Sequence, residues 1–332
     1  MKALITGGGG FLGSKIATML RDRGDDVVVL GRNPYPKLKA AGITTVQADV
    51  CDADAVAKAC VGMDVVFHVA AIAAIWGPRK LFWDINVGGT RNVIHGCRKH
   101  GVGKLVFTSS PSVVFGPDDL CGVDETLPYL EHYLAHYPET KAVAERLVIE
   151  ANGADLSTIA LRPHLIWGPG DPHLIPRVIE RARRGQLIQV GDGKNLVDII
   201  YIDNAAEAHL MAADALGVES CCAGRVYFLS QGQPVALWPW LNEILRSVGA
   251  PEVSRTLSYK TARRIGTVLE IFYRLFGIQR EPRMTRFLAT QFAKSHYFDI
   301  SRARRDFGYE PRISTREGVR NLVEDIVGRN AT

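Results

Sequence analysis

The sequence predicts a doubly wound α/β fold, with a parallel sheet covered by helices on both faces and a smaller C-terminal substrate-binding lobe. Two observations carry the first part. Apolar, β-branched runs alternate with helical segments through the first half of the chain, and the first run enters a glycine turn that opens a helix. The lobe is read from a change of texture: beyond residue 165, Pro and Gly become frequent, as in Gly168-Pro169-Gly170-Asp171-Pro172, and short strands interleave with helices. The expected division is 1–165 and 166–332, with some later segments returning to the first domain.

The first element is the strand Lys2-Ala3-Leu4-Ile5-Thr6, which runs into Gly7-Gly8-Gly9-Gly10-Phe11-Leu12-Gly13. Glycines there let the backbone turn tightly and approach a pyrophosphate, which sits on the N–H groups opening the helix Phe11 to Arg23. Gly7, Gly10, Phe11, Leu12 and Gly13 are therefore cofactor-site candidates. The second strand, Val27 to Leu30, ends Leu30-Gly31-Arg32-Asn33. An acid at this tip would accept the ribose 2′-hydroxyl of NAD. Here Gly stands in its place and Arg32 follows, suited to pair with a 2′-phosphate, with Lys37 and Lys39 nearby. NADP(H) is expected over NAD(H).

The third strand, Thr45 to Ala48, leads to Asp49 and Val50, which suit an adenine contact. The fourth, Val65 to Val69, ends Val69-Ala70-Ala71, small residues where backbone must come close to ribose and diphosphate. Helical segments are expected over Lys80–His100 and Lys141–Ala151. They flank the fifth strand, Leu105 to Thr108, and the sixth, Thr158 to Leu161. Right-handed crossovers place every strand C-terminus, and so the ligand crevice, on one edge. Ser109, Pro163 and His164 lie at those ends and complete the expected cofactor contacts.

Bulk properties narrow the partners. With 332 residues, 47% of them hydrophobic, the chain can bury a large core. The net charge of +5 is spread along it without a dense basic run, which argues against nucleic acid. Six cysteines show no metal or redox spacing, so free thiols and no metal site are expected. No apolar run reaches the ~18 residues of a membrane span. A cofactor strand starting at residue 2 leaves no room for a signal peptide, so a cytoplasmic protein is expected.

Tyr137-Pro138-Glu139-Thr140-Lys141 supplies the chemistry. At i,i+4 on a helix the two side chains share a face, about 5–6 Å apart at Cβ. A Lys ammonium there favours the phenolate and is expected to lower the Tyr137 pKa toward neutrality. The spacing alone is weak, since Tyr35 and Lys39 share it at the adenosine end. Context distinguishes the second copy: Thr108-Ser109-Ser110 ends the fifth strand on the same sheet edge, where Ser110 can hold a substrate oxygen against Tyr137.

Thr6 to Gly13, Thr108 to Ser110, Tyr137 to Lys141, and Leu161-Arg162-Pro163 with Trp167-Gly168-Pro169 together resemble an extended short-chain dehydrogenase/reductase with a Rossmann sheet, closest to its 3β-hydroxysteroid dehydrogenase-like branch. Arg162 to Pro169 and Gly193 to Asp198 are similar to sterol 4α-carboxylate 3-dehydrogenases. His68 to Ala71, Ile75-Trp76-Gly77 and Arg286 to Tyr309 are similar to bacterial 2-alkyl-3-oxoalkanoate reductases. The resemblance implies Tyr137 as proton donor and acceptor, Lys141 as its electrostatic partner, Ser110 as oxygen anchor, and a homodimer. Pro111 departs from it, where a small flexible residue is expected.

Both groups of relatives handle a ketone or secondary alcohol β to a carboxylate on a bulky hydrophobic skeleton. A cation for that carboxylate is sought in His164, His173 or Arg177, and aromatic walls in Trp76, Phe82 and Trp83. The segment 260–292 carries an apolar face, Ile265, Val268, Leu269, Phe272, Leu275 and Phe276, at helical spacing. Core packing or a lid is its first reading, and a peripheral membrane contact its second. The reductase reading leads. A sterol dehydrogenase, a nucleotide-sugar epimerase or dehydratase, and a non-catalytic NADP-binding regulator remain as alternatives.

Overall fold

The computed structural model describes residues 1–330. Its main sheet has seven strands in the order Arg225–Leu229, Ser157–Pro163, Lys104–Thr108, Val65–His68, Lys2–Thr6, Asp26–Gly31 and Thr44–Gln47. Every pairing in it is parallel. The order reverses between Lys2–Thr6 and Val65–His68, which opens the crevice between their C-terminal ends. Two apolar layers fill the faces, one around Ile5, Ile16 and Phe67, the other around Leu4, Val66 and Phe107.

The seventh strand comes from the run Val226–Leu229, which the sequence texture placed with the C-terminal lobe. It pairs with the sixth strand from Arg225↔Ile159 to Leu229↔Pro163. Tyr227, Phe228 and Leu229 are buried, so a lone edge strand could not leave them in water. The traffic also runs the other way. Leu120–Val123 leaves the first half to join a four-stranded sheet with His296–Phe298, Leu196–Val197 and Val235–Ala236.

The helical segment expected over Lys80–His100 is present as Arg79–Phe82, a π-turn at Trp83–Gly88 and Gly89–His100. The wide turn carries Asn86, which is buried. The helix containing Tyr137 starts at His136, so Pro138 falls in the first turn, where its missing N–H costs no hydrogen bond. Pro111 likewise opens a short 3-10 turn, Pro111–Val113, and is buried there.

The apolar segment 260–292 is two helices, Tyr259–Leu275 and Arg286–Ala293. Core packing, its first reading, does not hold for the predicted face: Ile265, Val268, Phe272, Leu275 and Phe276 are exposed. The buried side is Ala262, Gly266 and Glu270 instead. A Cβ on Gly266 would lie 2.6 Å from the Thr285 carbonyl carbon, so small residues let the two helices approach and turn the apolar face outward. Among the described residues no helix is long and apolar enough to cross a membrane.

Candidate active site

The glycine loop is built for a phosphate. Gly7 has φ +70°, and a Cβ on it would fall 2.7 Å from the Ala70 Cα, so the first and fourth strand ends meet there backbone to backbone. The helix Phe11–Asp22 begins after extended Gly10 with no side-chain cap and no acid in its first turn. Its N–H groups face the crevice, as an anion requires. The residues present thus fit a dinucleotide.

A buried polar chain fixes this loop to the catalytic helix. The Thr6 hydroxyl lies 2.7 Å from His68 Nδ1, and His68 Nε2 lies 2.9 Å from Thr90 Oγ1, which donates to the Asn86 carbonyl. Since Thr90 spends its proton on that carbonyl, His68 carries its proton on Nε2 and accepts from Thr6. Burial pushes the His68 pKa down to about 3, keeping the ring neutral. The Asn86 amide nitrogen donates to Thr140 Oγ1 at 2.9 Å, and its oxygen accepts from the Ile72 N–H. Neither His68 nor Asn86 was singled out in the sequence; a buried polar residue at a strand end beside Val69-Ala70-Ala71 was the available signal.

At the adenosine end, Arg32 is exposed and makes no ion pair among the described residues, while its carbonyl accepts from Gln47 Nε2. Lys37 and Lys39 are also exposed. The Tyr35 ring lies against Gly9 and Gly31, and a Cβ on Gly31 would fall 2.2 Å from the Tyr35 Oη. A side chain at position 31 would require the Tyr35 ring to move aside. Asp49 accepts from the Cys51 N–H at 2.9 Å, and buried Val50 is held through its carbonyl by Asn92.

Ser110, Tyr137 and Lys141 come together at the C-terminal end of the fifth strand. Lys141 is buried, donates to the Thr108 carbonyl at 2.6 Å and sits 3.9 Å above the Phe107 ring. Burial pushes its pKa down to about 7, against the field of Glu145 one helical turn away. Burial also raises the Tyr137 pKa, offset only by its hydrogen bond with Ser110. The expected depression of the Tyr137 pKa is thus corrected. Lys141 points its ammonium at Thr108 and is itself easily neutralised, so desolvation prevails at the phenol. The Ser110 Oγ also accepts from the Ser112 N–H, and the Ser109 N–H donates to the Leu161 carbonyl.

Beneath Lys141 lies an ion pair that the sequence did not signal, between Glu145, four residues on along the same helix, and Arg162 on the sixth strand. Arg162 donates to both Glu145 oxygens, at 2.9 and 2.5 Å, and the Tyr129 hydroxyl donates to Glu145 at 2.6 Å. Both charges are essentially out of water. Arg162 holds the Glu145 carboxyl below its ordinary range despite burial.

Two substrate-cation candidates follow the sixth strand as expected but are engaged by other residues. Buried His164, next to buried Pro163, faces His296, 2.5 Å between Nε2 and Nδ1, and burial holds its pKa well below the ordinary value. A neutral, paired imidazole supplies no cation. Arg177 is about half exposed and paired with Glu281. His173 is exposed. Phe82 is fully buried core. Trp76, by contrast, lines a cavity of about 580 Å³ together with His136, Glu139, Tyr273, Arg274 and Arg286; Tyr137 follows His136 but does not itself line the cavity. The Trp76 Nε1 donates to the Ile278 carbonyl at 3.0 Å. Arg286 binds Glu270, whereas Arg274 lies 3.8 Å from that carboxylate and remains largely exposed.

Residues 4–259 match the 3-beta hydroxysteroid dehydrogenase/isomerase family. The chain is 48% identical to a 2-alkyl-3-oxoalkanoate reductase of Stenotrophomonas maltophilia, over 97% of this chain and 98% of that one. It is 32% identical to the decarboxylating sterol-4-alpha-carboxylate 3-dehydrogenase of Mus musculus, over 97% and 90%. A solved structure of MoeE5 in complex with UDP-glucose and NAD superposes with a TM-score of 0.76 at 25% identity, covering both chains completely.

Proposed function

This chain belongs to the 3-beta hydroxysteroid dehydrogenase/isomerase family and is an oxidoreductase of the extended short-chain type, and from that premise we propose an NADP(H)-dependent reductase of 2-alkyl-3-oxoalkanoates. The observation that carries the reading is the Ser110–Tyr137 contact with buried Lys141 one helical turn on; His136, which precedes Tyr137, lines the cavity where Trp76 meets Arg274.

The cofactor would be held by the Gly7–Gly13 loop at its pyrophosphate, by Asp49 and Val50 at adenine, and by Val69, Ala70, Ala71 and Lys141 along the ribose. Pro163 closes the nicotinamide end. Arg32, which is exposed and has no ion pair among the described residues, supports NADP(H), because a guanidinium binds a 2′-phosphate that an acid would repel. When bound, the reduced nicotinamide supplies a hydride. Ser110 orients the ketone oxygen, and Tyr137 passes its hydroxyl proton to that oxygen as the carbonyl becomes an alcohol. Burial raises the Tyr137 pKa, so the phenol holds the proton that it donates. Lys141, with its pKa at about 7, carries its ammonium in part of the molecules at neutral pH, and in that form it offsets the charge of the phenolate left behind.

The cavity of about 580 Å³ carries Trp76, Tyr133, Tyr273 and Ile278 on its wall beside polar groups that include Glu131 and Glu139; the apolar side is assigned to the skeleton of a branched acid, and Arg274 to its carboxylate. Residues 166–332 are read mainly as the substrate side of the molecule. A sterol 4α-carboxylate dehydrogenase is the second reading, favoured by the mouse relative and by the same β-carboxylate chemistry. Purified protein is to be assayed by nicotinamide absorbance with NADPH and NADH against 2-alkyl-3-oxo acids, 3-ketosteroids and UDP-sugars. NADPH oxidation by the oxo acids is expected. Turnover of UDP-sugars alone, or of nothing, would sink the proposal.

A further inference from the structure

We propose that the outward face of helix Tyr259–Leu275, with the turn after it, docks on an anionic lipid surface. Ile265, Val268, Ile271, Phe272, Leu275 and Phe276 are all exposed, Val268 at 66% and Leu275 at 77%. Single exposed apolar residues are ordinary, but six on one helix are a continuous patch.

The charges around the patch choose the partner. Lys260, Arg263, Arg264 and Arg274 are exposed on the same helix, and Arg280 and Arg283 follow it. The one carboxylate between Lys260 and Arg280 is Glu270, which is 3% exposed and bound by Arg286. Glu281 is engaged by Arg177. What this segment presents outward is therefore apolar and cationic, with no exposed acid. That composition complements acyl chains beneath anionic headgroups. A second copy is the poorer occupant, because two-fold packing of this face would set like cations against each other.

The position also matters. Tyr273, Arg274 and Ile278 line the cavity described above, and Trp76 is tied to Ile278. Docking places the cavity wall against the lipid, where a long-chain or sterol ketone partitions. That consequence rests on the proposed function; the docking does not.

The test is flotation of the full chain with phosphatidylcholine vesicles with and without phosphatidylglycerol. Binding is expected only with phosphatidylglycerol, and to weaken as salt rises. Arg263→Glu with Arg264→Glu is expected to lower partitioning tenfold or more, since each basic residue near the surface is worth about fivefold. Leu275→Glu with Phe276→Glu is expected to lower it comparably. These positions are exposed, so NADPH consumption with a short, water-soluble β-keto acid should stay unchanged. Equal flotation of wild type and both variants would overturn the proposal. So would a dimer in sedimentation velocity that the Leu275 and Phe276 changes dissolve. Vesicle binding without any turnover would leave the docking standing and count against the reductase reading alone.

Discussion

Replacing Glu145 by methionine removes one partner of the buried pair with Arg162, and its cost can be worked from the contacts. Arg162 would remain 2% exposed with no carboxylate, and stranding one charge of a buried pair costs about 3–5 kcal/mol. Changing Arg162 to methionine as well removes the stranded charge. What then persists is the Tyr129 hydroxyl without its acceptor, about 1–3 kcal/mol. The double variant should therefore be more stable than the Glu145 single variant by about 2 kcal/mol, as the difference of those two ranges. Urea unfolding at neutral pH measures both. Glu145 is held below its ordinary 4.5, so its contribution is present above that pH and fades as pH falls through the lower folded value. The same carboxylate opposes the desolvation of Lys141, so its loss should carry the Lys141 pKa below about 7. A Glu145→Met cost under about 1 kcal/mol, or a double variant no better than the single, would refute the reasoning.

Three further outcomes can be measured. Tyr137→Phe should lower turnover by about 10²–10⁴-fold while NADPH binding, followed by fluorescence titration, stays near wild type; loss of both would mean a structural role. Arg32→Asp should shift preference from NADPH toward NADH in kcat/KM, and an unchanged ratio would remove Arg32 from the 2′-phosphate. Lys141 titrates at about 7 in the folded protein against 10.5 in the free side chain. Between those values the unfolded chain binds the extra proton, so stability should rise with pH by at most about 1.4 kcal/mol per unit, and Lys141→Met should flatten that slope in denaturation midpoints.

How far the site was legible depended on the range of the interactions. Gly7 to Gly13, Arg32 after Gly31, and Tyr137 with Lys141 are readable because backbone geometry ties residues a few positions apart to one loop or helix face. His164 shows the opposite case. It lies at the expected strand end, yet burial there, with its partner His296 132 residues away adding to the effect, keeps the ring neutral. Tyr35 looked like a chance Tyr-x-x-x-Lys, and the fold makes its ring the cover of Gly9 and Gly31.

By itself the sequence determined the parallel α/β class, the glycine loop that opens the first helix and the shared helix face of Tyr137 and Lys141, since strand and helix periodicities are local properties of the chain. Tertiary structure alone decided three things. Arg225–Leu229 became the seventh strand because its apolar residues needed cover on both faces. Lys141 was driven toward neutrality and the Tyr137 pKa upward because burial outweighs a neighbouring charge that is itself desolvated. The apolar face of Tyr259–Leu275 was left outside because Ala262 and Gly266 pack more closely than its larger side chains could. Spacing along a helix shows which residues share a face; only the packing partner settles whether that face meets the core.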